Sequence, residues 1–156
     1  MKKIGFIGTG LMGFPMAKNI LKSGYKLKAF NRSLSKAKAL EEFGAEIAIT
    51  LSELVKDSEI IITMLTDDEA IDEVMGSLNF LDYLKPGSIV IDMSSIKPIT
   101  AKKHEKNLSL KKIKYLDAPV SGGTVGAEDG SLAIMIGGEK KVFKEVEDLL
   151  RTMGNP

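Results

Sequence analysis

The chain contains no cysteine, which excludes disulfides, thiolate metal sites and a thiol nucleophile. It also lacks an excess of charge of either sign. The formal net charge is +1, so no overall field favours nucleic acid or an anionic membrane as partner. No apolar run approaches the roughly 18 residues needed to span a bilayer. Lys2-Lys3 followed by "IGFIGTGLMGFPMA" has the outline of a signal peptide, but four glycines and a proline interrupt it, and Lys18 and Lys22 follow at helix-surface spacing. A cytoplasmic protein is the better reading. Internal repeats, low-complexity tracts and hydrophilic linkers are missing too. What is present, 44% apolar and 28% charged residues over 156 positions, is the composition of one globular domain with a real core.

Short β-rich runs alternate with amphipathic segments. Strands are expected at Lys3–Ile7, Lys26–Phe30, Glu46–Ile49, Ile60–Leu65, Ser88–Met93, Lys114–Leu116 and Leu132–Ile136. Helices are expected at Leu11–Ser23, Leu34–Phe43, Leu51–Lys56, Asp68–Met75, Ile99–Leu108 and Glu139–Met153. Ser33 and Thr50 stand as helix N-caps, with Gly24 and Gly44 just past helix ends. The unbroken "IIITML" suits a central strand buried on both sides. The alternation predicts an α/β fold over residues 1–156: a doubly wound, mostly parallel sheet with helices on both faces. In such a fold ligands sit beyond the carboxyl ends of the strands, near the point where strand order reverses.

"IGFIGTGLMG" places Gly8, Gly10 and Gly13 in G-x-G-x-x-G register, directly after a strand and directly before a helix. Gly8 allows the tight turn, Gly10 lets a pyrophosphate approach the backbone, and Gly13 lets helix and strand pack closely. The first amides of the helix then face the ligand, and the helix dipole favours its negative charge. Pro15, near the start of that helix, sacrifices little. This context predicts a Rossmann-type dinucleotide-binding domain over residues 1–156.

The end of the second strand discriminates between dinucleotides. An NAD site wants Asp or Glu there, to accept from the ribose hydroxyls. This chain has "AFNRS": Asn31 and Arg32, with no acid. A guanidinium pairs with a 2′-phosphate through parallel hydrogen bonds, and Asn31 and Ser33 can add donors. NADP(H) is therefore expected, with NAD the less favoured cofactor.

The ordered segments "GFIGTGLMGFPMAKNI", "FNRS", "ITML", "IDMSSIKP" and "DAPVSGGTVGAEDGSLAIMIGG" resemble the β-hydroxyacid dehydrogenase family over essentially the whole chain. That family includes 3-hydroxyisobutyrate dehydrogenase, the glyoxylate/succinic semialdehyde reductases and, more distantly, 6-phosphogluconate dehydrogenase. The resemblance implies that Leu11 and Met12 line the pyrophosphate loop with the glycines, and that Asn31 and Arg32 sit at the 2′-phosphate. It implies that Met64 and Leu65 pack near the cofactor, and that Ser95 of "DMSS" approaches the nicotinamide ribose. Thr66 stands where the family usually has proline, which leaves the shape of that loop open. Ser121, Gly122 and Gly123 match the substrate-binding segment. A small carboxylate substrate needs donors at short range, and a glycine-rich loop supplies backbone N–H groups that side chains would otherwise obstruct. The Ser121 hydroxyl adds another donor. Asp117 and Pro119 fix the start of that loop.

Hydride transfer to or from a hydroxyl-bearing carbon also needs a group that moves the hydroxyl proton. By resemblance that group is a lysine in G-x-x-x-K-x-x-x-N, expected beyond Pro156, so no catalytic residue is assigned here. Gly137 to Lys141 has the first spacing but breaks the pattern at Glu145. His104, among the charges of "AKKHEKN", is expected on the surface rather than as a base. Gly154 reads as a helix stop. The chain is expected to be an N-terminal portion, lacking the family's next strand and all-helical second domain, through which the full-length protein would form a homo-oligomer. On that reading it binds cofactor with little or no turnover. The leading function is the NADP-binding domain of an oxidoreductase acting on a small 3-hydroxy acid or its semialdehyde. The alternatives are a 6-phosphogluconate dehydrogenase-type domain and a non-catalytic dinucleotide-binding module.

Overall fold

In a computed structural model describing residues 1–156, the chain starts with β1 (Ile4–Ile7), α1 (Gly13–Lys22), β2 (Leu27–Phe30), α2 (Leu34–Lys38), a 3₁₀ turn (Ala39–Phe43) and β3 (Glu46–Ile47). It continues with α3 (Leu51–Lys56), β4 (Ile60–Thr63), α4 (Asp68–Met75), α5 (Leu78–Leu81), β5 (Ile89–Asp92) and α6 (Pro98–Ser109). The last part comprises β6 (Lys114–Asp117), β7 (Val120–Ser121), α7 (Gly123–Asp129), β8 (Leu132–Ile134), α8 (Lys140–Arg151) and β9 (Gly154–Asn155).

The main sheet has six strands in the order β3-β2-β1-β4-β5-β6, all paired in parallel. Strand order reverses between β1 and β4, the position where a doubly wound sheet opens a crevice. Burial explains the sequence pattern. Every residue of β1, β4 and β5 is buried, because helices cover both faces. Met16, Ala17 and Ile20 of α1 join α2, α7 and α8 in one apolar cluster. Leu54 and Val55 of α3, Ile71 and Met75 of α4, and Leu108 of α6 build the other. The Thr50 hydroxyl accepts from the Glu53 amide at 3.2 Å, and Glu53 accepts in return from the Ile49 amide at 3.0 Å, a reciprocal cap that starts α3.

Several expectations are corrected. The run Leu132–Ile136 does not enter the parallel sheet; β8 belongs to a separate three-stranded sheet, β7-β8-β9, antiparallel to β7 and parallel to β9. Gly154 does not merely stop a helix: it opens β9, lying so close to Leu132 that a Cβ there would meet backbone. The fourth strand ends at Thr63, which leaves Met64 and Leu65 in the loop. The third is only Glu46–Ile47. The expected helix Leu34–Phe43 divides into α2 and the 3₁₀ turn, and α5 is additional. The glycine-rich loop contains a helix, α7. His104, expected on the surface, is 4% exposed, with Nε2 2.7 Å from Asp72 Oδ1. It shares a buried stripe with Thr100 and Leu108 at four-residue spacing, which ties α6 to α4.

Candidate functional site

The turn after β1 is held from three sides. The Gly8 amide donates to the Phe30 carbonyl at 3.0 Å, and the Thr9 amide donates to Asn31 Oδ1 at 2.9 Å. Gly8 adopts φ +102°, and a Cβ there would meet the Met64 carbonyl oxygen. A Cβ at Gly13 would meet the Gly8 carbonyl oxygen, so helix and turn touch through backbone alone. Gly10 differs, because a Cβ there would face open space for 4 Å. The amides of Gly10, Leu11 and Met12 donate to no group in the chain, and no side chain caps α1. The buried Thr9 hydroxyl beside them also lacks a partner. These groups fit a dinucleotide diphosphate: donors converge at a helix start where a ligand can approach the backbone closely.

The residues after β2 have separate tasks. Asn31 is a clip: its Oδ1 accepts from Thr9 and its Nδ2 donates to the Ser33 carbonyl at 3.0 Å. It therefore shapes the turn, and its second Nδ2 hydrogen has no acceptor in the chain. Ser33 occupies the N-cap position of α2, but its hydroxyl makes no cap bond. Arg32 is exposed and donates from Nη2 to Glu73 Oε2 of α4 at 2.8 Å.

The loops after β4 and β5 are fastened to each other. Ser94 Oγ accepts from the Leu65 amide at 2.8 Å, which sets the course of Met64, Leu65 and the exposed Thr66. Asp92 Oδ1 accepts from the Thr63 hydroxyl at 2.9 Å and the Ser94 amide at 3.0 Å. Ser95 stays exposed at the carboxyl edge. Sequence reading singled out Ser95 and missed Thr63, Asp92 and Ser94, although "IDMSS" holds a polar run directly after an apolar strand. Burial pushes the Asp92 carboxyl up to about 6 against the hydrogen bonds it accepts, and the neighbouring Asp117 carboxylate adds to the rise. Asp117, its register partner on β6, is raised by burial as well.

Ser121 ends β7, and Gly122 and Gly123 follow with φ +140° and +62°. All are exposed, and the amides of Gly122 and Gly123 donate to no group in the chain. A cleft of about 610 Å³ lies between α1, α2 and α7. Thr9, Gly10 and Leu11 of the phosphate turn line part of it. Lys36 of α2, unremarked in the sequence reading, also lines it, one helical turn beyond Ser33. No grouping of acidic, histidine or cysteine side chains suits a metal ion, and no helix is long and apolar enough to cross a membrane.

Strand order thus gathers the candidate residues after β1, β2, β4 and β5 at one edge, with Ser121 joined to it through β6. Residues 3–156 match the family described as the NAD binding domain of 6-phosphogluconate dehydrogenase. The chain is 40% identical over 153 residues to 2-(hydroxymethyl)glutarate dehydrogenase of Eubacterium barkeri, covering 97% of this chain and 51% of that protein. It is 39% identical over 153 residues to mitochondrial 3-hydroxyisobutyrate dehydrogenase of Drosophila melanogaster, covering 98% and 47%. The solved structure of Mycobacterium tuberculosis 3-hydroxyisobutyrate dehydrogenase with L-serine superimposes at a TM-score of 0.94 with 29% identity, covering 99% of this chain and 52% of that one. The chain spans about half the length of the curated relatives it matches. With its phosphate turn, strand order and near-complete alignment in agreement, the chain belongs to the β-hydroxyacid dehydrogenase family as an NAD(P)-binding domain.

Proposed function

We propose that this chain is the NADP-binding domain of an oxidoreductase that transfers a hydride between NADP(H) and a small 3-hydroxy acid or its semialdehyde. The observation that carries the reading is the run of unpartnered amides at Gly10, Leu11 and Met12, beside a glycine whose Cβ direction is open. When bound, the cofactor supplies or accepts the hydride at its nicotinamide ring. Gly8 and Gly13 keep the turn close to the sheet, and Gly10, Leu11 and Met12 hold the diphosphate. Arg32 and Ser33 take the adenosine 2′-phosphate, on a loop that Asn31 shapes and that carries no acid to repel it. Met64, Leu65 and Thr66 wall the cofactor, and Ser95 faces its nicotinamide ribose. Ser121, Gly122 and Gly123 receive the substrate carboxylate. L-serine, present in the Mycobacterium tuberculosis relative, is itself a 3-hydroxy acid, which supports that substrate class. We place the lysine that moves the hydroxyl proton, and the contacts that build a homo-oligomer, in the second half that the relatives possess.

A second reading, the cofactor domain of a 6-phosphogluconate dehydrogenase, is favoured by the description of the matching family. Substrate profiling of the full-length enzyme with NADPH as reductant separates the two. The cofactor assignment is tested by calorimetric titration of NADPH and NADH. NADPH is expected to bind tighter by about tenfold or more, the worth of a charge-assisted hydrogen-bond set. Arg32→Ala should abolish that difference. Equal affinities in the unaltered chain contradict the assignment.

A further inference from the structure

Glu73 plays no part in the fold's core or in the cofactor contacts above. It lies on α4, with its side chain 66% exposed and Oε2 2.8 Å from Arg32 Nη2. Arg32 follows β2 and Glu73 follows β4, the two strands that flank β1. The ion pair therefore links the segments on either side of the phosphate turn, across a sequence separation of 41 residues. We propose that Glu73 is a specificity-determining residue that competes with the adenosine 2′-phosphate for Arg32 and so lowers the preference of this site for NADP over NAD. The inference rests on the assignment of Arg32 to the 2′-phosphate.

A guanidinium presents its donors as a planar fork, and Glu73 already takes an Nη2 donor of Arg32, so a phosphate that pairs with both Nη groups must share that donor or displace the carboxylate. Once displaced, the Glu73 carboxylate remains near the arriving phosphate, a like charge that weakens NADP binding further. NAD brings no 2′-phosphate, so it leaves the Arg32–Glu73 pair intact and does not feel the competition. Both side chains are largely exposed, which limits the effect and makes it sensitive to salt. Glu73 is also free of the contacts by which α4 grips α6. Those belong to Asp68, which accepts from the Lys97 amide and the Thr100 hydroxyl, and to Asp72, which holds Lys103 and His104. Replacing Glu73 therefore disturbs Arg32 and little else.

The test is equilibrium binding of NADP⁺ and NAD⁺ to the unaltered chain, E73Q, R32A and the E73Q/R32A double variant, at low and high salt. E73Q is expected to tighten NADP⁺ by about two- to fivefold at low ionic strength, the range set by an exposed ion pair, with NAD⁺ unchanged. The gain should shrink as salt is raised, and it should vanish in the R32A background. An unchanged NADP⁺ affinity in E73Q, with R32A weakened, overturns the role of Glu73 and leaves the NADP reading standing. An R32A variant that binds NADP⁺ as well as the unaltered chain overturns both. Equal tightening of NADP⁺ and NAD⁺ in E73Q overturns the competition, because it places the effect outside the 2′-phosphate.

Discussion

Gly10 and Gly13 share one motif but have opposite surroundings, and their substitutions should separate binding from folding. Gly13→Ala drives a methyl group into the Gly8 carbonyl, so the helix must shift. A destabilisation of about 1–3 kcal/mol is expected, as for other overpacked sites. Gly10→Ala meets nothing within 4 Å. It should leave the Tm within a degree or two of the unaltered chain, as surface substitutions do, while it weakens dinucleotide binding by crowding the diphosphate. Thermal unfolding and titration of both variants check this; a Gly10→Ala variant that loses Tm but not affinity contradicts it. The glycine spacing made this turn legible, because at Gly8 and Gly13 the backbone approaches too closely for a Cβ. Asn31 was less legible. Its position was evident, but its use as a clip between Thr9 and Ser33 depends on a loop path that the sequence does not state. His104 was misplaced for a related reason: flanking lysines suggested solvent, while its four-residue spacing from Thr100 and Leu108 put it inside.

At the scale of elements, the ends of β5 and β6 carry Asp92 and Asp117 side by side, each with a buried carboxylate oxygen that has no partner. An acid whose folded pKa is raised binds its proton more tightly in the folded chain than in the unfolded one. Its ionised form therefore opposes folding. The stability it permits is full below the ordinary carboxylate value of 3.8 and is lost as pH rises through about 6. For Asp92 the loss is on the order of 2–3 kcal/mol. Asp92→Asn removes it, so the stability difference between the unaltered chain and the variant should move in the variant's favour between pH 4 and pH 7. Urea unfolding across that range measures this; a difference that does not change with pH contradicts it. The regular elements were legible because apolar period and length agreed for the parallel strands and the longer helices. The glycine-rich segment was not. The sequence "GGTVGAED" has poor helix propensity, and α7 forms because Ala127 is buried against the core and Asn19 of α1 donates to the Ala127 carbonyl at 2.8 Å. Likewise β8 looked like another sheet strand, and only its pairing with β7 and β9 assigns it to a separate sheet.

For the whole molecule, two apolar clusters grip a single parallel sheet, and the loops at its carboxyl edge remain available to a ligand. The architecture was legible from strand–helix alternation; the order of the strands and the links between their loops were not, since both arise from tertiary packing. On the proposed function, cofactor binding and turnover are separable. The residues assigned to the cofactor lie within one sheet edge, and the proton-moving group is assigned to the second half of the relatives. Steady-state assays of these 156 residues with 3-hydroxy acids and NADP⁺ are accordingly expected to give no turnover above background; sustained NADPH formation contradicts that division. On the proposed function, the turn between β1 and α1 grips a diphosphate through main-chain amides. Hydrogen exchange with and without NADP⁺ tests it most directly. The amides of Gly10, Leu11 and Met12 should exchange fast in the free chain and be strongly protected by the cofactor. Equal exchange at those amides in saturating NADP⁺ contradicts it.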